Sequence, residues 1–192
     1  MSFTLADVTP ERVAVAFFDA PKANIKKYLP DVLSALSHAG IADRDMVMMA
    51  LATIRAETAG FAPIDEGKSR YNTAEGGPAF GKYDTRHDLG NRAVGDGAKY
   101  KGRGFVQLTG RANYITYGKR VGVDLDAAPE RANEPAVAAA LLAAFLYDRQ
   151  KRIREAVRAR NWAAARRLVN GGSHGLDAFT EAYKALDATL PR

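Results

Sequence analysis

The sequence contains no cysteine among its 192 residues. This absence excludes disulfide bonds, thiolate metal sites and a cysteine nucleophile, so packing alone must stabilise the fold. No stretch reaches the ~18 consecutive apolar residues of a membrane-spanning helix, which favours a soluble protein. Because 47% of the residues are apolar, we expect one domain over residues 1–192 with no separate binding module.

The residues up to Val8 also lack the basic region, apolar run and small-residue cleavage site of a signal peptide. We therefore expect a protein that is made in the cytoplasm. A substrate outside the cytoplasm would be reached only after some other agent had released the protein.

Positive charge is concentrated late in the chain. The formal net charge is +6, and eight Lys or Arg residues accompany a single acidic residue, Glu155, between Arg149 and Arg167. Such a cluster is typical of a solvated helix face, and it also fits attraction to an anionic cell envelope. No recognisable nucleic-acid motif accompanies it, so we expect no specific nucleic-acid partner. No assembly motif is visible either, which favours a monomer.

Apolar residues recur at helical spacing in the first third of the chain. They predict helices over residues 9–18, 25–36 and 43–58, the first with proline in its opening turn and the third with Gly60 as its C-cap.

This periodicity disappears between residues 60 and 104, where ten of the 17 glycines lie. A loop of that length inside a compact domain is usually functional. Strand-like composition occurs only at residues 83–85 and 104–108. The sequence therefore predicts a long central loop region with at most a small β-hairpin.

Helices are predicted to resume near Ala112. Residues 133–135 open an alanine-rich helix that we expect to be the central one. Asn161 is expected to cap a further helix that ends at the turn 170–172, and Asp177 to cap the last helix. The predicted fold class is therefore mainly α.

Glu57 is the first candidate for catalysis. On the third predicted helix it lies beside the apolar stripe of Val47, Leu51 and Ile54, in the last turn before Gly60. Partial burial and the negative end of the helix dipole both favour a protonated carboxyl group. Such a group can act as a general acid, although an ordinary glutamate at a helix end shows the same pattern.

Glu66, nine positions further on, supplies a second carboxyl group. Glycoside hydrolysis with inversion needs an acid at the leaving oxygen and a base that activates water on the other face of the sugar. Asp65, Glu75 and Asp96 also qualify as the second carboxylate.

The stretch from Tyr100 to Tyr114, YKGRGFVQLTGRANY, combines glycines with polar side chains. Gln107 and Thr109 share a face if this stretch is extended, and Asn113 is one helical turn further on. Thr109 is a candidate for holding the attacking water, and Gln107 and Asn113 for binding sugar hydroxyl or N-acetyl groups. Tyr100 and Tyr114 are candidates for stacking on sugar rings. A glycine-rich hairpin with capping polar residues would show the same spacing.

The same stretch resembles the signature of family 19 glycoside hydrolases, the chitinase-like enzymes. It is preceded by the segments 82–86, 88–91 and 95–97, in an order similar to that of the bacterial and phage branch. Glu57-Thr58 resembles the family's first catalytic glutamate, and Asn170-Gly171-Gly172 resembles a substrate-side turn. The likeness extends from about Ile25 to Tyr183.

This resemblance implies a lysozyme-like, bilobal helical fold and single-displacement inversion without a metal or other cofactor. It implies Glu57 as general acid, Glu66 as general base and Thr109 as the residue that positions water. The substrate-binding residues that it implies are Tyr100, Arg103, Gln107, Asn113, Tyr114 and Asn170.

The resemblance leaves two substrates, peptidoglycan and chitin. Compact members without a signal peptide resemble phage endolysins, so a muramidase-type activity on peptidoglycan is expected, after holin-dependent release or lysis. A chitinase and a catalytically silent glycan-binding or phage structural protein are the competing hypotheses. The chain has Ala56 where many members have histidine, and its short segment between the two glutamates fits the endolysin branch.

Overall fold

The computed structural model describes residues 2–172 and 174–192. It divides into two compact units. The first combines the chain up to Ala62 with Leu142–Arg192, and the second is Pro63–Leu141. The prediction of a single catalytic domain stays a prediction.

The described part of the chain is mainly helical, which confirms the predicted fold class. None of its helices is long and apolar enough to cross a membrane. Its α-helices are α1 (Pro10–Ala14), α2 (Lys22–His38), α3 (Arg44–Thr58), α4 (Asp96–Lys99), α5 (Arg111–Val121), α6 (Pro135–Tyr147), α7 (Gln150–Arg158), α8 (Trp162–Asn170) and α9 (Leu176–Thr189). Short 3-10 turns cover Leu5–Asp7, Gly81–Tyr83, His87–Leu89 and Pro129–Asn133.

Helix α3 forms the centre of the first unit. All nine residues from Met46 to Ile54 are buried, and α3 packs against α9 and α7. Asp43 caps its start, accepting the N–H of Met46 at 3.4 Å, and pairs with Arg154 at 2.7 Å. The expectation that α6 is the central helix stays a prediction.

Three helix ends differ from the sequence-based expectation. Helix α1 ends at Ala14, which leaves Phe18 79% exposed. Helix α3 ends at Thr58, and Ala59, with a φ of 47°, is its C-cap in place of Gly60. Helix α9 begins after Gly175, whose φ of 70° is readily adopted by glycine, rather than at a cap formed by Asp177.

The second unit contains a two-stranded antiparallel sheet, β1 (Ile64–Asp65) and β2 (Arg103–Gly104), in which Ile64 pairs with Gly104. The sheet joins segments that are distant in sequence. The strand-like composition at residues 83–85 does not give a strand, because Tyr83 closes a 3-10 turn. The stretch from Gly104 onward is not extended throughout, because Gln107 has a φ of 51°. A small hairpin is present, since Arg103 and Leu108 bond each other's backbone.

Candidate active site

Glu57 lies in the last turn of α3 and faces a buried arginine. Arg166 of α8 is fully buried, and its Nη1 lies 2.8 Å from Oε1 of Glu57, whose side chain is 13% exposed. The N–H does not point along a hydrogen bond, so the contact is an ion pair. This pair holds the carboxyl group at one place at the end of a buried helix.

The same arginine organises the turn after α8. Nε of Arg166 and Nδ2 of Asn170 both donate to the carbonyl oxygen of His174, each at 2.9 Å. A Cβ at Gly175 would lie 3.3 Å from the Cβ of Ala56, so the turn passes close to the helix that carries Glu57. Asn170 therefore holds the backbone of this turn through Nδ2, and its assignment to substrate binding stays a prediction.

Glu66 follows β1 in the second unit, and three neutral donors hold its carboxylate. Oε1 accepts hydrogen bonds from Nδ2 of Asn72 at 2.9 Å and from the hydroxyl of Tyr83 at 3.0 Å. Oε2 accepts the backbone N–H of Gly102 at 3.0 Å. The Glu66 N–H in turn donates to the carbonyl of Gly102 at 2.8 Å. These three donors thus fix the orientation of the carboxylate.

Tyr83 is itself held in place. Asn91, which is fully buried, donates to the carbonyl of Tyr83 at 2.8 Å and accepts the N–H of Arg111 at 2.9 Å. Burial raises the pKa of Tyr83 to about 12, assisted by the charge of Glu66 and the hydrogen bond to it. The hydroxyl therefore keeps its proton, and remains a donor to Glu66, at neutral pH.

Gly102 is required by close packing against this carboxylate. A Cβ there would lie 2.9 Å from Oε1 of Gln107 and 3.2 Å from both Cβ and Oε2 of Glu66. The backbone at this glycine thus approaches the Glu66 side chain closely.

Gln107, Thr109 and Asn113 form a chain of side-chain to backbone hydrogen bonds. Nε2 of Gln107 donates to the carbonyls of Ile64 and Gly104, at 3.0 and 3.1 Å. The Thr109 hydroxyl donates to the carbonyl of Gln107 at 2.9 Å, and Nδ2 of Asn113 donates to that of Thr109 at 2.8 Å. The three residues are brought together, although by a turn rather than by the extended strand expected.

The expected sugar-stacking role of Tyr100 and Tyr114 is corrected. Their exposures are 1% and 0%, and their rings pack edge to face with centroids 5.5 Å apart. Arg103 is buried with them, since its Nη1 donates to the Tyr114 hydroxyl at 2.9 Å and to the Lys99 carbonyl at 2.8 Å. These residues therefore support the loop from inside instead of contacting a ligand.

Asp65 is the rival carboxylate nearest to Glu66 in sequence, and its surroundings are different. Its carboxylate lies 2.6 Å from Nζ of Lys101 and 3.1 Å from Nε of Arg103, and it accepts Nδ2 of Asn133 at 2.7 Å. Partial burial opposes ionisation, but these hydrogen bonds and positive charges outweigh it and lower the pKa of Asp65. Asp65 thus forms ion pairs with Lys101 and Arg103.

Asp96 and Glu75 are not held as Glu66 is. Asp96 accepts the backbone N–H groups of Arg92 and Ala93 at 2.7 and 3.1 Å, and so closes a turn. Glu75 is exposed. Among the residues that the structure describes, no group of three or more His, Cys, Asp or Glu side chains is arranged to hold a metal ion.

Sequence reasoning missed one partner of Glu57, which is Arg166, and two partners of Glu66, which are Tyr83 and Asn72. A signal existed for Arg166, because Ala165 and Val169 place it on the apolar face of α8, where an unpaired charge is costly. Tyr83 lies inside the segment 82–86, whose pattern alone assigns it no role. Asn72 had no signal, since only the folded loop brings it to Glu66.

No family model matches the chain. A relative from Haemophilus influenzae (strain ATCC 51907 / DSM 11121 / KW20 / Rd), described as a glycosyl hydrolase family 19 domain-containing protein, is 32% identical over 107 residues. The match covers 56% of this chain and 50% of that protein, so the chain spans about half the length of this relative.

Two solved structures share the fold. Chitinase C from Streptomyces griseus HUT6037 superposes with a TM-score of 0.61 at 20% identity, covering 98% of this chain and 80% of that one. A bacterial family 19 chitinase gives 0.63 at 18% identity, covering 94% and 95%. The fold is therefore that of family 19 chitinases, and the resemblance to family 19 glycoside hydrolases is confirmed.

Proposed function

We propose that the chain is a glycoside hydrolase that cleaves β-1,4 bonds between N-acetylated sugars. The observation that carries this proposal is the fixed carboxylate of Glu66, which three neutral donors orient while the other nearby carboxylate, Asp65, is neutralised by cations. A glutamate held in this way suits a general base. The fold shared with family 19 chitinases supports the same conclusion.

In this mechanism Glu57 is the general acid and Glu66 the general base. Glu57, protonated for this step, donates its proton to the glycosidic oxygen as the bond from that oxygen to the anomeric carbon breaks, and the carboxylate that remains pairs with Arg166. Water attacks the anomeric carbon from the other face, and Glu66 accepts the proton that the water loses. The products are a sugar with a new hydroxyl at the inverted anomeric carbon and a leaving sugar with a free hydroxyl.

Thr109 is proposed to position the attacking water. Its hydroxyl donates its proton to the carbonyl of Gln107, so the lone pairs of the hydroxyl oxygen are left to accept a hydrogen bond from water. Gln107 has both amide protons directed at backbone carbonyls, so its role is to shape the turn that presents Thr109.

Peptidoglycan is the substrate that we propose first. The short segment between Glu57 and Glu66 supports it by its resemblance to phage endolysins. Chitin is the second candidate, and it is supported by the chitinases that share the fold.

A basic surface supports an additional contact with an anionic envelope. Lys151, Arg152, Arg158, Arg160 and Arg167 are all exposed. A groove of about 500 Å³ between α7 and α8 is lined by Arg152 and Arg167, with Glu155 as its acidic residue. Arg154 is excluded from this role, because it pairs with Asp43. We propose that this surface attracts the protein to phosphate-bearing polymers of the envelope.

Turnover on purified substrates tests the proposal. Release of reducing ends is measured from purified peptidoglycan and from chitin hexasaccharide, with Glu57→Gln as the inactive control. Cleavage of peptidoglycan alone supports the endolysin-type activity, and cleavage of chitin alone supports the chitinase. Tight binding to either glycan without product would contradict hydrolysis and favour the catalytically silent binder.

A further inference from the structure

We propose that Tyr71 is a sugar-stacking residue that holds the glycan chain beside Glu66. This inference rests on the proposed function and adds a substrate contact to it. Tyr71 is 72% exposed, which is unusual for a large aromatic residue. Several hydrogen bonds hold the loop on which it lies. Its chain neighbour Asn72 is fully buried and donates to Oε1 of Glu66. One loop therefore orients the proposed base and presents an aromatic ring to solvent.

The loop that carries Tyr71 is fixed on both sides. Ser69 donates its N–H to Oδ1 of Asn72 at 2.9 Å, and its hydroxyl oxygen accepts the N–H of Tyr71 at 3.3 Å. Nζ of Lys82 donates to the carbonyl of Arg70 at 2.6 Å, and the Lys82 N–H donates to the carbonyl of Asn72 at 3.1 Å. The backbone on which the ring stands is therefore built in advance, which lowers the entropy lost on binding.

The ring itself is oriented by its neighbour. Nη2 of Arg70 donates to the Tyr71 hydroxyl at 2.9 Å, and the guanidinium carbon lies 5.0 Å from the ring centroid. An exposed aromatic face held in one direction offers apolar contact to a flat ligand, and a sugar ring presents C–H groups on its faces. Tyr71 is the chain neighbour of Asn72, which contacts the Glu66 carboxylate, so the proposal assigns the ring to a neighbouring sugar of the same glycan chain.

The corrected roles of Tyr100 and Tyr114 strengthen this assignment. Both are buried, so neither supplies the aromatic contact that the sequence predicted. Tyr71 is the most exposed tyrosine in the described part of the second unit. It is also the chain neighbour of Asn72, which donates to Glu66.

The test is a comparison of KM and kcat for the wild type, Tyr71→Ala and Tyr71→Phe. The substrates are soluble glycan strands from peptidoglycan and chitin hexasaccharide. Loss of a contact made equally in the ground and transition states raises KM and leaves kcat unchanged. Tyr71→Ala should raise KM about tenfold with kcat within about twofold, whereas Tyr71→Phe, which keeps the ring but loses the hydrogen bond from Arg70, should raise KM less than Tyr71→Ala. Tyr147→Ala, which removes a tyrosine that is 49% exposed on α6, is the matched control.

The outcomes separate this inference from the function on which it rests. An active wild type with unchanged KM in Tyr71→Ala would overturn the stacking role alone. A fall in kcat with unchanged KM would also overturn it, because it would indicate a distorted Glu66 instead of a lost contact. A wild type that neither cleaves nor binds these glycans would overturn the proposed function, and the stacking role with it.

Discussion

Arg166 and Glu57 form an ion pair between a fully buried guanidinium and a carboxylate that is 13% exposed, with 2.8 Å between Nη1 and Oε1. The pair joins the end of α3 to α8, and through Nε of Arg166 it also holds the turn that contains His174. A charge buried to this extent is tolerated because its partners are in place, so removal of either partner leaves an uncompensated group.

Arg166→Met should therefore impair both stability and catalysis. We expect the free energy of unfolding to fall by about 3 kcal/mol, since a buried pair is broken by removing one partner. Activity on the cleaved glycan should fall as well, because Glu57 loses the group that positions it. Thermal denaturation and kcat measure the two effects. Arg154→Met, which breaks the more exposed pair with Asp43, should cost about 1 kcal/mol or less. Equal losses in the two variants would contradict the special role of Arg166.

Tyr83→Phe removes one hydroxyl group that donates to Oε1 of Glu66. We expect kcat to fall about tenfold, because the proposed base loses part of its orientation. The free energy of unfolding should fall by only about 1 kcal/mol, the usual net value of one hydrogen bond. Tyr147→Phe is the control for an exposed tyrosine. A Tyr83→Phe enzyme with the kcat of the wild type would show that this hydrogen bond does not serve catalysis.

The same tyrosine predicts a loss of stability at high pH. Its pKa is raised from 10.0 to about 12 in the folded protein, so the unfolded chain loses the proton first as the pH rises. The contribution of protonated Tyr83 to stability is complete below pH 10 and is lost between pH 10 and 12. Denaturation midpoints across this window should fall less steeply in Tyr83→Phe than in the wild type. An identical slope in both proteins would contradict the assignment.

Gly102→Ala tests the close packing behind Glu66. The added methyl group would meet Oε1 of Gln107 at 2.9 Å and Oε2 of Glu66 at 3.2 Å, so both side chains have to move. We expect at least a roughly tenfold loss of kcat, of the order seen when a catalytic group is misplaced. Gly67→Ala is a matched control, because no atom lies within 4 Å of its added Cβ. Similar kcat values for the two variants would mean that the Glu66 position is not critical.

The basic surface predicts binding that depends on salt. Arg152→Glu combined with Arg167→Glu reverses two charges in the groove between α7 and α8. Less of this variant than of the wild type should sediment with phosphate-bearing cell walls. For the wild type, the sedimented fraction should fall with rising ionic strength, because exposed charges are screened within about 10 Å at 0.1 M salt. Hydrolysis of short soluble glycans should be unchanged. Wall binding that stays constant over this range of salt would count against the electrostatic contact.

The sequence predicted the helices well because their signals are local. Asn161 caps α8 as expected, and Asp43, where the third helix was predicted to begin, caps α3, since one side-chain oxygen and the next turn of backbone are sufficient. The long loop region between the glutamates and α5 was also recognised by its glycines. The backbone conformation inside this region was not predicted, because the positive φ of Gln107 depends on packing that local composition does not encode.

The candidate site also has features that the sequence predicted and features that it did not. Motif positions identified the turn that carries Gln107 and Thr109 and the start of α5, which carries Asn113, whereas burial contradicted the roles expected for Tyr100 and Tyr114. Burial depends on which segments meet, and a single sequence does not specify that. The partners of the two glutamates were missed for the same reason, since Arg166 lies more than a hundred residues from Glu57.

The most direct test of the central claim is mass spectrometry of the soluble products that the wild type and Glu57→Gln release from purified peptidoglycan. The account predicts hydrolytic products with reducing N-acetylmuramic acid ends from the wild type and none from Glu57→Gln, which should remain folded. Products from Glu57→Gln at the rate of the wild type would contradict Glu57 as the acid, and anhydro ends from the wild type would contradict hydrolysis by water activated at Glu66.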